Sequence, residues 1–378
     1  MAMHAGGWRA PEREFPIAMK EQDIPETFRP AIEDFCRQTG TQLESIAFWD
    51  LRHHGLFVSR NEHFYQTRTI AEGSPISFVP DPSATQGEPG LPDIRTLIEP
   101  LYTFLSDNWG LPTIIDVGGY LGRFSIESAI MLKAKFEHPP SQYEGRKPIV
   151  CFEPGPMRLL LETNIGFNGL TDWVLVLPYA VADKSAQKTF QYRTGRMIGG
   201  RLARPSGSQG RVHHSVFDTI RSALGRMRTK RLKGKPVQRD VYQFDVPACT
   251  LKNYCEQAGL QPPFIVKIDT EGGEPEVFNG LSRDQIANSV FIVELWPQRF
   301  ESRVHGHRYL DFLQSEFVIW DIRNSLYPAN FNLIEDLEEF SRSKEKGMTT
   351  DLLLIPKSCP RIDGFADRLN ELRVRRGV

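Results

Sequence analysis

The chain has 378 residues, with 46 basic and 47 acidic side chains and a formal net charge of −1. That balance excludes the broad cationic surface of a general nucleic-acid binder or membrane-surface protein. A hydrophobic content of 40% is enough to bury a substantial core.

Residues 1–92 read as an N-terminal accessory region. Its first twenty residues mix charges, prolines and glycines without an apolar stretch, so no signal peptide is expected. No uninterrupted apolar run anywhere in the sequence is long enough to span a bilayer. Ala31–Cys36 is a short amphipathic helix by pattern, with Ile32, Phe35 and Cys36 on one face. The proline- and glycine-rich stretch from Gly73 to Pro92 reads as a linker.

The main domain, 93–360, begins with a helical spacing at Leu97, Ile98, Leu101, Phe104 and Leu105. Strands are then expected at Thr113–Ile115, Pro148–Phe152, Trp173–Val181, Pro263–Ile268, Val290–Leu295, Phe317–Trp320 and Asp351–Ile355. Helical segments separate them, which predicts an α/β fold: a mainly parallel seven-stranded sheet with helices on both faces. An insertion at 187–247 breaks the rhythm. It carries a run from Arg221 to Arg239 without an acid and reads as a solvated loop, or less readily as a lid. Residues 361–378 form a C-terminal tail. Five cysteines, Cys36, Cys151, Cys249, Cys255 and Cys359, are odd in number and form no Cys-x-x-Cys pair, so reduced thiols in a cytoplasmic protein are expected.

Chemistry concentrates at the strand ends. Asp116-Val117-Gly118-Gly119-Tyr120-Leu121-Gly122 stands between a β-branched strand and a helix, where glycines let backbone approach a nucleotide. The dinucleotide fingerprint fails, because aligned on Gly122 it puts Val117 in the first glycine's place. S-adenosyl-L-methionine has no pyrophosphate, and an acid such as Asp116 suits its ammonium end. Glu153 follows the second strand, where ligands of open parallel sheets sit, and its two oxygens suit a ribose diol. Each such charge-assisted bond contributes roughly 1.5–3 kcal/mol. The competing role for Glu153 is to cap the helix after Pro156.

These blocks resemble the FkbM family of S-adenosylmethionine-dependent methyltransferases over roughly Pro112 to Pro356. The resemblance rests on Ile115–Gly122, on Phe152-Glu153-Pro154 with Asn164–Asn168, and on Val266–Glu274 followed by Gly280 and Phe291–Glu294. It implies a Rossmann-like class I methyltransferase fold that methylates hydroxyl groups, often on sugars or natural products. The sequence departs from the family at Tyr120 for Asn, Gly273 for Ala and Lys252 for Asp.

On that reading Asp116, Gly118, Gly119, Tyr120 and Gly122 hold the methionine and ribose side. Glu153 grips the ribose beside Pro154, and Asn164 braces that wall. Ala182 and Asp183 fall at the adenine edge. Asp269 and Glu271, alternating with Lys267, face the transferred methyl group, with Asp269 also counted in the cofactor site. One of these acids, or His305, would take the acceptor's proton. The other histidines singled out are His213, His214 and His307, and Trp296 reads as core. A divalent metal on the acids is the less favoured reading, for want of a third ligand. Glu271 and Glu274 have a competing role as helix caps. The expected acceptor is a small molecule, sugar or peptide, without nucleic acid or membrane, and a homo-oligomer is compatible. N-methylation of a peptide side chain and nicotinamide-dependent oxidation are the alternatives.

Overall fold

The computed structural model describes residues 17–18, 24–41, 43, 46–51, 54–59, 95–143, 145–193, 196–203, 241–297, 304–322, 332–344 and 349–358. The run Arg221–Arg239, His213, His214, Cys359 and the stretch Gly73–Pro92 lie outside them, as does the tail 361–378. Among the described residues no helix is long and apolar enough to cross a membrane.

Among the described residues the main sheet contains eight strands, and it is mixed. Its parallel part is β4 (Thr113–Val117), β5 (Ile149–Phe152), β6 (Val174–Leu177), β11 (Phe264–Ile268) and β12 (Ser289–Leu295). Covered on both faces, β4 and β5 are buried along their whole length, which explains their unbroken apolar runs. On the far side β15 (Thr350–Pro356) runs antiparallel between β12 and β13 (Phe317–Asp321). The edge strand β14 (Asn332–Ile334) pairs with β13 and is the eighth strand, one more than the expected seven. Three residues carry too little alternation to announce a strand.

The order β14-β13-β15-β12-β11-β4-β5-β6 reverses direction between β4 and β11. From β4 the chain steps outward through β5 to β6, then returns to place β11 on β4's other side. Such a switch point opens a crevice at the carboxyl ends of the two strands.

The expected third strand, Trp173–Val181, is divided. Val174–Leu177 joins the main sheet, while β7 (Ala180–Val181) belongs to a second one. That sheet has the order β7-β10-β8-β9, with β8 (Ala186–Arg193), β9 (Arg196–Leu202) and β10 (Val241–Cys249). The flanks of the insertion are therefore strands rather than solvated loop. Phe190 and Tyr192 are buried and meet Phe244 and Tyr242 across the β8–β10 pair, aromatic contacts that stabilise neighbouring strands.

Helices fill the faces. On one lie α2 (Arg95–Trp109), α3 (Arg123–Phe136) and α4 (Met157–Phe167), in a core with Leu101, Ile126 and Leu161. On the other are α5 (Leu251–Ala258), α6 (Glu274–Asn279), α7 (Arg283–Ala287), α8 (Val304–Glu316) and α9 (Leu337–Ser343), around Val277, Phe291 and Leu313. The accessory region contributes α1 (Arg29–Thr39) and a small antiparallel sheet of β1 (Ile17–Ala18), β2 (Ile46–Leu51) and β3 (His54–Ser59). Ile32 and Phe35 of α1 are fully buried, and Phe28 meets Phe167 of α4 edge-on. This region packs on the helix that follows Glu153.

Candidate active site

The switch point brings two turns together. Asp269 follows β11 and donates its backbone N–H to the Val117 carbonyl at 2.9 Å, extending the parallel pairing beyond Ile268. Gly118 follows β4 with φ 90°, and a Cβ there would stand 1.9 Å from the Asp269 carbonyl oxygen. At Gly119 a Cβ would meet Cys151 Sγ at 2.2 Å and Leu161 Cδ1 at 2.8 Å. The sequence suggested that glycines here make room for a ligand. The structure instead gives both a protein neighbour, so the turn needs glycine to pack before anything binds.

The carboxylate of Asp116 points into the protein. Its Oδ2 accepts the Ser125 hydroxyl at 2.7 Å and lies 3.7 Å from Cys151 Sγ, while Oδ1 is 3.9 Å from Lys267 Nζ. Burial raises its pKa, against the pull of Lys267 and Ser125. It joins β4, α3 and β11 from below the turn, a different position from the ammonium contact expected of it.

Glu153 closes the turn from the β5 side. Tyr120 N–H donates to Oε2 at 3.0 Å, and Gly155 N–H donates to Oε1 at 2.7 Å. These are loop amides, and neither belongs to α4, so the carboxylate is not that helix's cap. Tyr120 has φ 50°, a left-handed conformation uncommon for a side-chain-bearing residue, and its bond to Glu153 helps hold it there. Burial lifts the Glu153 pKa to about 7, although both amide donors favour the charged form. Each oxygen keeps a lone pair beyond the one it gives to backbone.

Asn164, fully buried on α4, donates to the Leu121 carbonyl at 3.0 Å and ties that helix to the turn. Pro154 is half-buried beside Glu153, and Gly122 is the residue before α3. Ala182 is buried. Its N–H donates to Cys249, and its carbonyl oxygen would lie 2.4 Å from a Cβ at Gly280. Asp183 is ion-paired with Lys188 at 2.8 Å, and that bond holds its carboxyl below the usual range.

Across the crevice Lys267 Nζ lies 3.0 Å from Asp269 Oδ2. Burial penalises the ammonium, but Asp269 and Asp116 outweigh it and hold the pKa above an ordinary lysine's. The next loop is pinned by Glu274, whose Oε1 accepts Thr270 N–H, Thr270 Oγ1–H and Gly272 N–H at 3.1, 3.2 and 3.0 Å. Glu274 is thereby a structural clamp. Glu271 sits in that loop at φ 57°.

Sequence reasoning missed a third acid. Carboxylate oxygens of Asp269, Glu271 and Glu294 lie within 4.8 Å of one another. Glu294 is near the end of β12, one strand over, so the parallel register carries it to the β11 turn. The signal available was that both strands end in acids. A hard cation would suit such a trio, yet Lys267 already stands 3.0 Å from Asp269, and we assign no metal to it. His305 lies in the first turn of α8; its side chain and that of His307 fall outside the described residues. Trp296 is half-buried just past β12.

Compared with known proteins, residues 116–317, more than half the chain, match the methyltransferase FkbM domain. Searches of curated proteins and of solved structures return no match.

Proposed function

The chain belongs to the FkbM methyltransferase family, and from that premise we propose that it is an S-adenosyl-L-methionine-dependent O-methyltransferase with a Rossmann-like fold, acting on a hydroxyl of a sugar or natural product. The observation that carries the reading is the setting of Glu153. It stands at the carboxyl end of β5 beside the switch point, with both oxygens oriented by backbone N–H groups. The lone pairs left over fit the two hydroxyl donors of a ribose. The strand order supports the fold, since β6-β5-β4-β11-β12 is the doubly wound pattern.

When bound, the donor supplies an electrophilic methyl carbon on a cationic sulfur. The residues of the chain do the rest. Glu153 and the turn from Gly118 to Gly122 hold the nucleoside, with Asn164 keeping the turn closed from behind. Asp269 and Glu271 lie where the acceptor approaches and orient it, which aligns the oxygen for in-line attack. Lys267 holds Asp269 in place.

Calorimetry with S-adenosylhomocysteine tests this. Wild type is expected to bind, and Glu153→Ala to lose tenfold or more in affinity, about 1.4 kcal/mol. Equal affinity in the two overturns the ribose role of Glu153. Stabilisation by a nicotinamide cofactor instead would restore the oxidoreductase reading.

A further inference from the structure

Three carboxylates crowded into one corner raise the question of where the proton of the acceptor hydroxyl goes. Asp269 already carries the Lys267 ammonium at 3.0 Å, so one of its oxygens is committed. Glu271 rides on a loop turn held by Glu274. Glu294 differs from both in being fixed on a strand, between β11 and β15; like them it is half-buried.

Charged and titratable groups face Glu294 from the strands on either side of it. Asp269 and Glu271 face it from the end of β11, with Lys267 behind Asp269. Asp351 is its register partner on β15, and Trp296 follows two residues on, just past the end of β12. Burial first, then Asp269, Glu271 and Asp351, push its pKa up to about 9, against a smaller pull from the Trp296 indole. An acid in such a place keeps a proton at neutral pH until a positive charge arrives.

The donor crevice adjoins this corner, because Asp269 follows β11 and its carbonyl lies directly against Gly118. Resting on the methyltransferase reading above, we propose that Glu294 is the proton acceptor of the reaction: it releases its own proton when the cationic donor enters, and takes up the acceptor's as the methyl group is transferred. The acceptor oxygen forms a bond to the methyl carbon. The carbon–sulfur bond breaks with its electron pair on sulfur, and the proton leaving the oxygen passes to Glu294. A sulfonium and a carboxylate become a thioether and a carboxylic acid. Two opposite charges thus disappear together, which the half-buried setting of Glu294 favours.

The test is the number of protons released on binding, measured by calorimetry in two buffers of different ionisation enthalpy near neutral pH. Wild type is expected to release protons on binding S-adenosylmethionine and far fewer on binding S-adenosylhomocysteine, whose sulfur is neutral. Glu294→Gln is expected to bind both within about threefold of wild type, abolish the difference in proton release, and lower kcat by about a hundredfold. Equal proton release in wild type and Glu294→Gln overturns the proposal while leaving the methyltransferase reading intact. Failure of wild type to bind either compound overturns both. Difference infrared spectroscopy of wild type needs no variant: protonated-carboxyl absorbance should fall further with the donor than with the thioether, which draws a proton from Glu153 alone. Equal falls with the two compounds overturn the proposal.

Discussion

Tyr120 and Glu153 are 33 residues apart in sequence, yet the backbone N–H of the first donates to Oε2 of the second at 3.0 Å. That bond joins the turn after β4 to the turn after β5. A residue with φ 50° is held by a carboxylate whose other oxygen takes the Gly155 amide. The acid is thus positioned before any ligand arrives, and its properties should govern both stability and binding.

Substituting Glu153 by Gln should destabilise the fold by about 1–3 kcal/mol, because one of two buried N–H donors then faces an amide NH2. Urea unfolding of the two proteins measures the difference.

The ionisation of Glu153 sets a pH window. Its pKa in the fold is about 7, above the ordinary 4.5, so the fold favours the protonated form. Its contribution to stability is therefore complete below about 4.5 and is lost as pH rises through about 7. Glu153→Gln should flatten the stability profile across that window. On the proposed function binding has the opposite slope: Glu153 would accept both ribose hydroxyls as a carboxylate, so affinity for S-adenosylhomocysteine should fall by up to about tenfold per pH unit below 7.

Gly118→Ala should cost about 3 kcal/mol or more, since the new Cβ meets backbone at the Asp269 carbonyl and the residue has positive φ. Gly110→Ala provides the comparison. Gly110 also has positive φ but nothing within 4 Å of the added Cβ, so only the dihedral cost of about 1–2 kcal/mol applies. Equal losses would mean that the Asp269 contact is unimportant.

Asn164→Ala leaves the Leu121 carbonyl without its buried donor and should cost about 1–3 kcal/mol. Thermal unfolding reports the loss. Affinity for S-adenosylhomocysteine should fall with it, because the turn is no longer tied to α4.

Lys267→Met removes the cation shared by Asp116 and Asp269. A loss of about 3–5 kcal/mol is expected at neutral pH. Part of it should return in acid, where the buried Asp116, already raised by burial, takes up a proton. A loss independent of pH would place the role of Lys267 in packing alone.

Strand positions in the main sheet were largely legible. Ile114, Ile115, Val150, Val266 and Phe291 lie in buried runs, and such runs between helical patterns leave few alternatives. The strand ends were legible too, because Asp116, Glu153 and Asp269 each follow an apolar run directly. What depended on non-local pairing was not. Glu294 joins Asp269 only through the register of β11 with β12, and the direction of Asp116 depends on Ser125 and Lys267 arriving from two other elements. β7 left the third strand because two residues, Ala180 and Val181, pair with β10 instead.

Arg193 and Val241 are paired across β8 and β10, as are Ala186 and Ala248 nearer the core. Between them in the chain lies β9, which folds back on β8 as the outer strand of this sheet, so the polypeptide departs after Leu202 and re-enters at Val241. Material spliced between those two points can change in length or origin without re-threading the rest of the chain. Joining Arg193 to Val241 through a two-residue hairpin turn removes that outer strand as well, and the β8–β10 pair that remains should still melt cooperatively with the rest of the protein.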